Sequence, residues 1–322
     1  VLRAVRLNGA FLYVFEGTAP WSISVAPARQ LVPRVLPGAD HLMAYHIVTA
    51  GTCWMGCKGD QPVQLQAGDA ILFPHGDAHL ASGQPADRSG YPFYDHAPSR
   101  PLETIRLGQG QGVRTSIVCG FLGCDARPYN PLLAALPRSM HVRGIGVGWL
   151  SEFPRQVIAE AWQTRVGGTT MLTRMAELMF VEVVRRYTEE LPAHRAGWLA
   201  GLRDPIVAPA LAALHERPAH GWSLAELARV AASSRTVLTE RFAQTVGLPP
   251  MQYLTEWRLQ LAAEQLATGS RKVAAVAAEV GYESEAAFSR AFKRSTGHAP
   301  AAWRRMRQNG AAHSSAVPVT AC

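Results

Sequence analysis

Slid against itself by 50 positions, the last hundred residues of this chain fall into register. Leu227 meets Ala277, Ala228 meets Ala278, Val230 meets Val280, Ser234 meets Ser284, Leu238 meets Phe288 and Phe242 meets Phe292. Further on, Gly247 meets Gly297, Pro250 meets Pro300 and Tyr253 meets Trp303. Small, apolar and helix-ending residues therefore recur in the same order. One small fold is used twice.

Each copy has a physical reading. Ser223 with Glu226 forms an S-x-x-E capping box that starts a helix through about Val230. Ala231 to Ser233 makes a short turn, and Ser234 caps a second helix to about Val246. Leu238 and Phe242, or Phe288 and Phe292, supply its buried stripe, and Gly247 and Gly297 end it through a left-handed residue. Two short helices joined tightly have helix-turn-helix geometry, which predicts units at 223–247 and 273–297. Off the buried stripe lie Arg235, Thr236, Thr239 and Glu240 in the first unit, and Glu285, Ala286, Ser289 and Arg290 in the second. Side chains so placed reach base edges in the major groove, and basic neighbours meet phosphates. Between the copies, Glu256 to Gly269 is a good helix former able to hold the units rigidly apart. Two reading helices could then enter successive grooves about 34 Å apart.

Charge agrees. The chain of 322 residues carries a formal net charge of +8, and Arg203–Arg307 alone holds 14 basic and 9 acidic side chains. Such an excess favours an anionic partner. No apolar run is long enough to cross a bilayer, and the start, with Arg3 and Arg6, is not followed by an apolar signal core. A cytoplasmic protein without membrane association is expected. Five cysteines without a C-x-x-C pair indicate neither a disulfide framework nor a zinc ribbon.

Upstream the character changes. From about Leu7 to Thr115, short β-rich runs such as His46–Met55, Pro62–Gln66 and Ala70–Pro74 are broken by Gly, Pro and Asp, favouring an antiparallel sandwich or barrel. From Pro131 apolar residues take helical spacing. In Thr169–Leu191, Leu172, Met175, Met179 and Val183 form one stripe, while Met171, Leu178 and Val181 add a second face. That helix could pack on the barrel with one side and on a second subunit with the other, or lie buried in its own domain. Pro192–Gly201 reads as a connector, and Gln308–Cys322 as a disordered tail.

The stretch VAAVAAEVGYESEAAFSRAFKRSTGHAPAAWRR (Val273–Arg305) closely resembles the C-terminal signature of the AraC/XylS family of bacterial transcription regulators. LAELARVAASSRTVLTERFAQTVGLPPMQYL (Leu224–Leu254) is similar to that family's first helix-turn-helix. The resemblance implies sequence-specific binding to double-stranded promoter DNA and control of transcription, often activation, with RNA polymerase as a partner and no enzymatic role. By position, Thr236, Thr239 and Glu240 fall where the family reads bases in the first unit, and Glu285, Ala286 and Arg290 in the second. Arg290 is the strongest of these, since arginine pairs bidentately with guanine. Arg235, Arg241, Ser289, Lys293 and Arg294 are the expected phosphate contacts.

Gly68–His79, GDAILFPHGDAH, is G-x5-P-x-G-x-x-H and resembles the second conserved motif of cupins. The H-x-H and glutamate of catalytic cupins are missing, because His46 stands between Tyr45 and Ile47 and His41 is five positions away. His46, Cys53, His79 and Cys119 are the candidate effector or metal residues, which could converge across strands on one site, or else are buried structural groups. No cofactor is required, though a metal ion in the barrel is one reading. Cys53, Cys57, Cys119 or Cys124 could instead sense oxidants as low-pKa thiolates.

The expected class is α+β: a cupin-like sensor and dimerisation domain over 1–195, an all-α DNA-binding domain over 203–307, and the tail 308–322. The whole resembles AraC-type regulators, which implies a small-molecule effector at the barrel and a homodimer. A metal-dependent cupin enzyme and a protein-binding scaffold are the competing classes.

Overall fold

The computed structural model describes residues 7–37, 39–85, 94–95, 103–124, 128–144, 152–162, 166–190 and 198–314. Described residues of Arg6–Asp125 and Leu136–Glu190 form one compact unit, and those of Ala126–Ala135 and Leu191–Cys322 a second.

The first unit is a double-sheet barrel. Its elements are β1 (Leu7–Thr18), β2 (Ser22–Val25), α1 (Ala28–Val35), β3 (His41–Ala50), β4 (Thr52–Cys57), β5 (Val63–Gln66), β6 (Ala70–Phe73), β7 (His79–Ser82), β8 (Tyr94–Asp95), β9 (Thr104–Leu107) and β10 (Arg114–Cys124). After α2 (Pro131–Ala135), which belongs to the second unit, come β11 (Met140–Val142), α3 (Phe153–Trp162) and α4 (Gly168–Glu190). One sheet runs β11-β6-β3-β10-β1-β9 and the other β5-β4-β7-β2-β8. Pairing is antiparallel except for β1 with β9 and β2 with β8.

Alternation along the strands sends Tyr13, Phe15, Leu42, Ala44, Val48, Cys119 and Phe121 of one sheet, and Val25, Met55 and Ala81 of the other, into a shared apolar core. The hairpin β3–β4 turns at Gly51, where φ is +75° and a Cβ would strike the Arg114 carbonyl. Helix α4 lies on β1 and β11 and buries Leu172, Ala176, Met179, Phe180, Val183 and Val184. Its other face leaves Met171 54% and Leu178 56% exposed.

The second unit is helical: α5 (Trp198–Gly201), α6 (Val207–Glu216), α7 (Leu224–Val230), α8 (Arg235–Val246), α9 (Pro250–Thr268), α10 (Val273–Glu279), α11 (Glu285–Thr296) and α12 (Pro300–Ser314). Helices α8 and α11 repeat at 50 residues from first to last residue. Ser234 and Ser284 accept the Val237 and Ala287 N–H groups at their starts, and Gly247 and Gly297 end them with φ of 87° and 78°. Leu238, Phe242, Phe288 and Phe292 are fully buried, as the stripe requires.

The 50-residue register fails in the first helix of each pair. Leu227 and Ala228 are buried in α7, but in α10 the buried pair is Val276 and Ala277, while Ala278 is exposed. That offset is 49, because the second turn is one residue longer. Ala232, with φ of 47°, corresponds to Gly281, with φ of 87°. The N–H of Ser233 reaches the Ala228 carbonyl, as that of Tyr282 reaches Ala277, both at 2.9 Å. The extra residue therefore falls between Gly281 and Ser284.

Three boundaries differ from the sequence reading. Helix α9 starts at Pro250 rather than near Glu256, since proline is pre-organised for the first helical position. Pro300 opens α12 in the same way, and α12 runs to Ser314, past the expected boundary at 308; residues 315–322 lie outside the described residues. The end of the supposed connector forms α5, whose Trp198 and Leu199 are buried in the helical unit. Trp198 Nε1 donates to the Tyr253 hydroxyl at 2.8 Å, and His215 Nε2 lies 2.6 Å from the same oxygen.

Candidate nucleic-acid interface and barrel core

Buried stripes on α8 and α11 fix which side chains face outward. At 100° per residue from Leu238 and Phe242, the outward arc of α8 holds Thr236, Val237, Glu240 and Gln244, all exposed. On α11 it holds Ala286, Arg290 and Arg294, also exposed, with Ala287 half-buried. Thr236, Glu240, Ala286 and Arg290 thus lie on the exposed arcs of the two helices. Glu285 and Arg235 are exposed in the first turns. Thr239 is half-buried and its hydroxyl donates to the Arg235 carbonyl at 2.8 Å, so it turns back on its own helix. Ser289 is half-buried as well. Val237 and Gln244 went unnoticed in the sequence, although their angular distance from the stripe was there to be measured.

Among the expected phosphate contacts, Lys293 and Arg294 are exposed, and with Arg290 they form no ion pair among the described residues. Arg241 is different. Its Nε lies 2.7 Å from Asp204 Oδ2, and the other Asp204 oxygen accepts the Ile206 and Val207 N–H groups at the start of α6. Arg241 thereby ties α8 to α6. Helix α9 packs on α8, α10, α11 and α12, so α8 and α11 share one support.

In the barrel unit the four candidate effector or metal residues are all buried. His46 on β3 and His79 on β7 meet across the two sheets, Nε2 to Nε2, at 2.8 Å. His79 Nδ1 lies 3.0 Å from the Asp77 carbonyl. A carbonyl only accepts, so Nδ1 carries the His79 proton and Nε2 is its bare acceptor; His46 Nε2–H then donates across the pair. His46 Nδ1 is left without a partner. Phe73 stacks on His79 with centroids 3.9 Å apart. Burial holds both imidazoles well below their ordinary pKa, His79 at about 4.

Cys119 lies beside His46 in register on β10, and Cys53 sits in the same core. Yet among the described residues no three or more His, Cys, Asp or Glu side chains are placed to hold a metal ion. The expected convergence reduces to a histidine pair. Burial pushes the Cys53 thiol up to about 12 and Cys57 to about 11, and raises Cys119 as well. Low-pKa thiolates are therefore not formed at these three positions.

Where the edge strands β5 and β11 face each other, a cleft of about 480 Å³ opens. Its polar lining comes from Thr52, Gln64, Gln66, Asp69, His141 and Arg143. Buried Asp69 is held by the N–H groups of Gln66 and Gly144 and lies 3.3 Å from His141 Nε2.

Residues 1–189 match a cupin family model, and residues 227–306 match a helix-turn-helix domain. A protein of Streptomyces antibioticus described as an AraC-like transcription regulator is 36% identical over 83% of this chain and 88% of its own. The HTH-type transcriptional regulator AlkR of Acinetobacter baylyi is 29% identical over 82% of this chain and 88% of its own. Among solved structures, the DNA-binding domain of the global transcriptional factor AdpA in complex with a target DNA is 31% identical, covering 33% of this chain and 95% of that one, with a TM-score of 0.32.

A cupin-like barrel in one chain with two helix-turn-helix units defines a DNA-binding transcription regulator. The chain belongs to the AraC-like family of these regulators. No helix among the described residues is long and apolar enough to cross a membrane.

Proposed function

We propose that this chain is a non-enzymatic, cytoplasmic regulator that reads double-stranded promoter DNA through α8 and α11 under the control of a small effector. One observation carries the reading. Two serine-capped helices of equal length, 50 residues apart, bury their apolar stripes on one scaffold and leave outward arcs that bear Thr236, Glu240, Ala286 and Arg290. Glu285 is exposed in the first turn of α11, off that arc. Thr239 joins the base-reading set by family position; with its hydroxyl donating to the Arg235 carbonyl, it offers a base an acceptor oxygen. Arg235, Lys293 and Arg294 meet phosphates, Ser289 adds a hydroxyl, and Arg241, its Nε held by Asp204, offers its remaining N–H groups.

The effector belongs to the barrel unit. Because His46, Cys53, His79 and Cys119 are packed inside the core, the polar cleft between β5 and β11 is the better place for it than the core itself. The exposed face of α4 bearing Met171 and Leu178 suits a second copy of the chain. Activation through RNA polymerase follows from the family resemblance.

The test is selection of duplexes from a random pool by the full chain, followed by a salt titration on the selected site. Enrichment of one sequence and a log–log slope near −0.9 per neutralised phosphate are expected. No enrichment together with a flat salt response would overturn the reading.

A further inference from the structure

Val237 is 45% exposed in the first turn of α8, where its N–H donates to the Ser234 hydroxyl. Helix propensity does not favour a β-branched residue there, and its isopropyl group adds nothing to the buried stripe. Its neighbours on the outward arc are Thr236, Glu240 and Gln244. The equivalent position in α11, 50 residues on, is Ala287, and Ala286 beside it is exposed. Each reading helix therefore leads with methyl groups.

In the major groove, apolar side chains have a distinctive counterpart: only thymine carries a C5-methyl group, beside its O4 acceptor. Glu240, one turn further along the same arc, carries a charge that phosphates repel and that accepts a proton donor from cytosine N4. The α8 face is thus suited to methyl and amino groups on base edges more than to phosphates.

Building on the DNA-reading function proposed above, we infer that Val237 is a specificity-determining residue that seats against the C5-methyl of one thymine in the segment read by α8. Burying a methyl group at that contact gives roughly a fourfold preference over a base without it.

Replacing thymine by deoxyuridine removes that methyl and nothing else. The full chain is first used to select its site from random duplexes. Each thymine of the site is then replaced in turn by deoxyuridine, and binding is measured by competition for wild type and Val237→Ala. At one position wild type should lose about three- to fivefold in affinity, while Val237→Ala binds the thymine and uracil duplexes equally and keeps the wild-type salt slope. Because Val237 is exposed, the variant should keep a melting temperature close to that of wild type, which a thermal scan checks. A site at which no substitution weakens wild type would overturn the inference, as would discrimination that persists undiminished in Val237→Ala. Either leaves the DNA-reading function standing. Selecting no sequence at all sinks that function, and this inference with it.

Discussion

Ala232 and Gly281 occupy the same point of two duplicated turns, 49 residues apart, both in left-handed backbone with φ of 47° and 87°. Only glycine takes that conformation without a steric penalty. At Gly281 there is a second reason, because a Cβ would lie 2.7 Å from the Ala219 carbonyl and 2.8 Å from an Arg258 nitrogen. Ala232→Gly should therefore stabilise by up to about 1 kcal/mol, relief of strain outweighing the added freedom of the unfolded chain. Gly281→Ala should destabilise by more than about 1 kcal/mol. Urea melts of both variants decide it; a loss of stability in Ala232→Gly would contradict the strain argument.

Tyr253 holds two partners inside the helical unit, Trp198 and His215. Tyr253→Phe leaves the buried indole N–H without an acceptor, which costs about 1–3 kcal/mol. A lowered denaturation midpoint with an unchanged slope is the expected result.

The histidine pair makes stability depend on pH. A free histidine titrates near 6.5, and folded His79 only near 4, so the unfolded state takes up protons first as pH falls. Stability is complete above about 6.5 and is lost progressively toward 4, by about 2 kcal/mol at pH 5 for this one group. His46 adds loss in the same direction, as does His215, which burial also holds at about 4. Thermal melts from pH 7.5 to 4.5 should fall steadily. A His46→Leu, His79→Leu double variant that remains folded should flatten the part of this dependence that the barrel contributes.

Arg290 and Lys293 stand exposed on the same helix, and the roles proposed for them differ. Arg290→Ala should relax base preference at one position, with a loss of about 1–3 kcal/mol confined to the preferred sequence. Lys293→Ala should weaken all sequences alike and reduce the salt slope by about 0.9. Equal, sequence-independent losses in both variants would refute the division of roles.

Leu178 lies on the exposed face of α4, away from the barrel. Leu178→Glu should shift the full chain from dimer to monomer in sedimentation equilibrium without changing its melting temperature by more than a degree or two. A wild-type protein that is monomeric at every concentration would remove this face as a dimer contact.

Much of the helical unit was legible because caps and stripes are local. Ser223, Ser234 and Ser284 cap where their sequence context places them, and Gly247 and Gly297 stop the helices they precede in spacing. The one-residue slip between α7 and α10 was hidden, since alanines fill both candidate registers and look alike to a pattern. The Arg241–Asp204 pair was hidden for another reason: Asp204 lies 37 positions away, and nothing local marks it as the partner. In the barrel, His46 and His79 were picked out in one candidate set with Cys53 and Cys119, not as a direct pair. Their meeting depends on how two sheets stack, and no spacing along the chain encodes that.

Helix α9 belongs to both reading units, and its 19 residues make a strut about 28 Å long without a break. A duplex engaged by both units must therefore present its two segments in fixed helical phase. Each base pair added between them turns one segment away by about a tenth of a rotation. The strut has no joint to absorb that turn, so a promoter's spacing can matter to this protein as much as its letters.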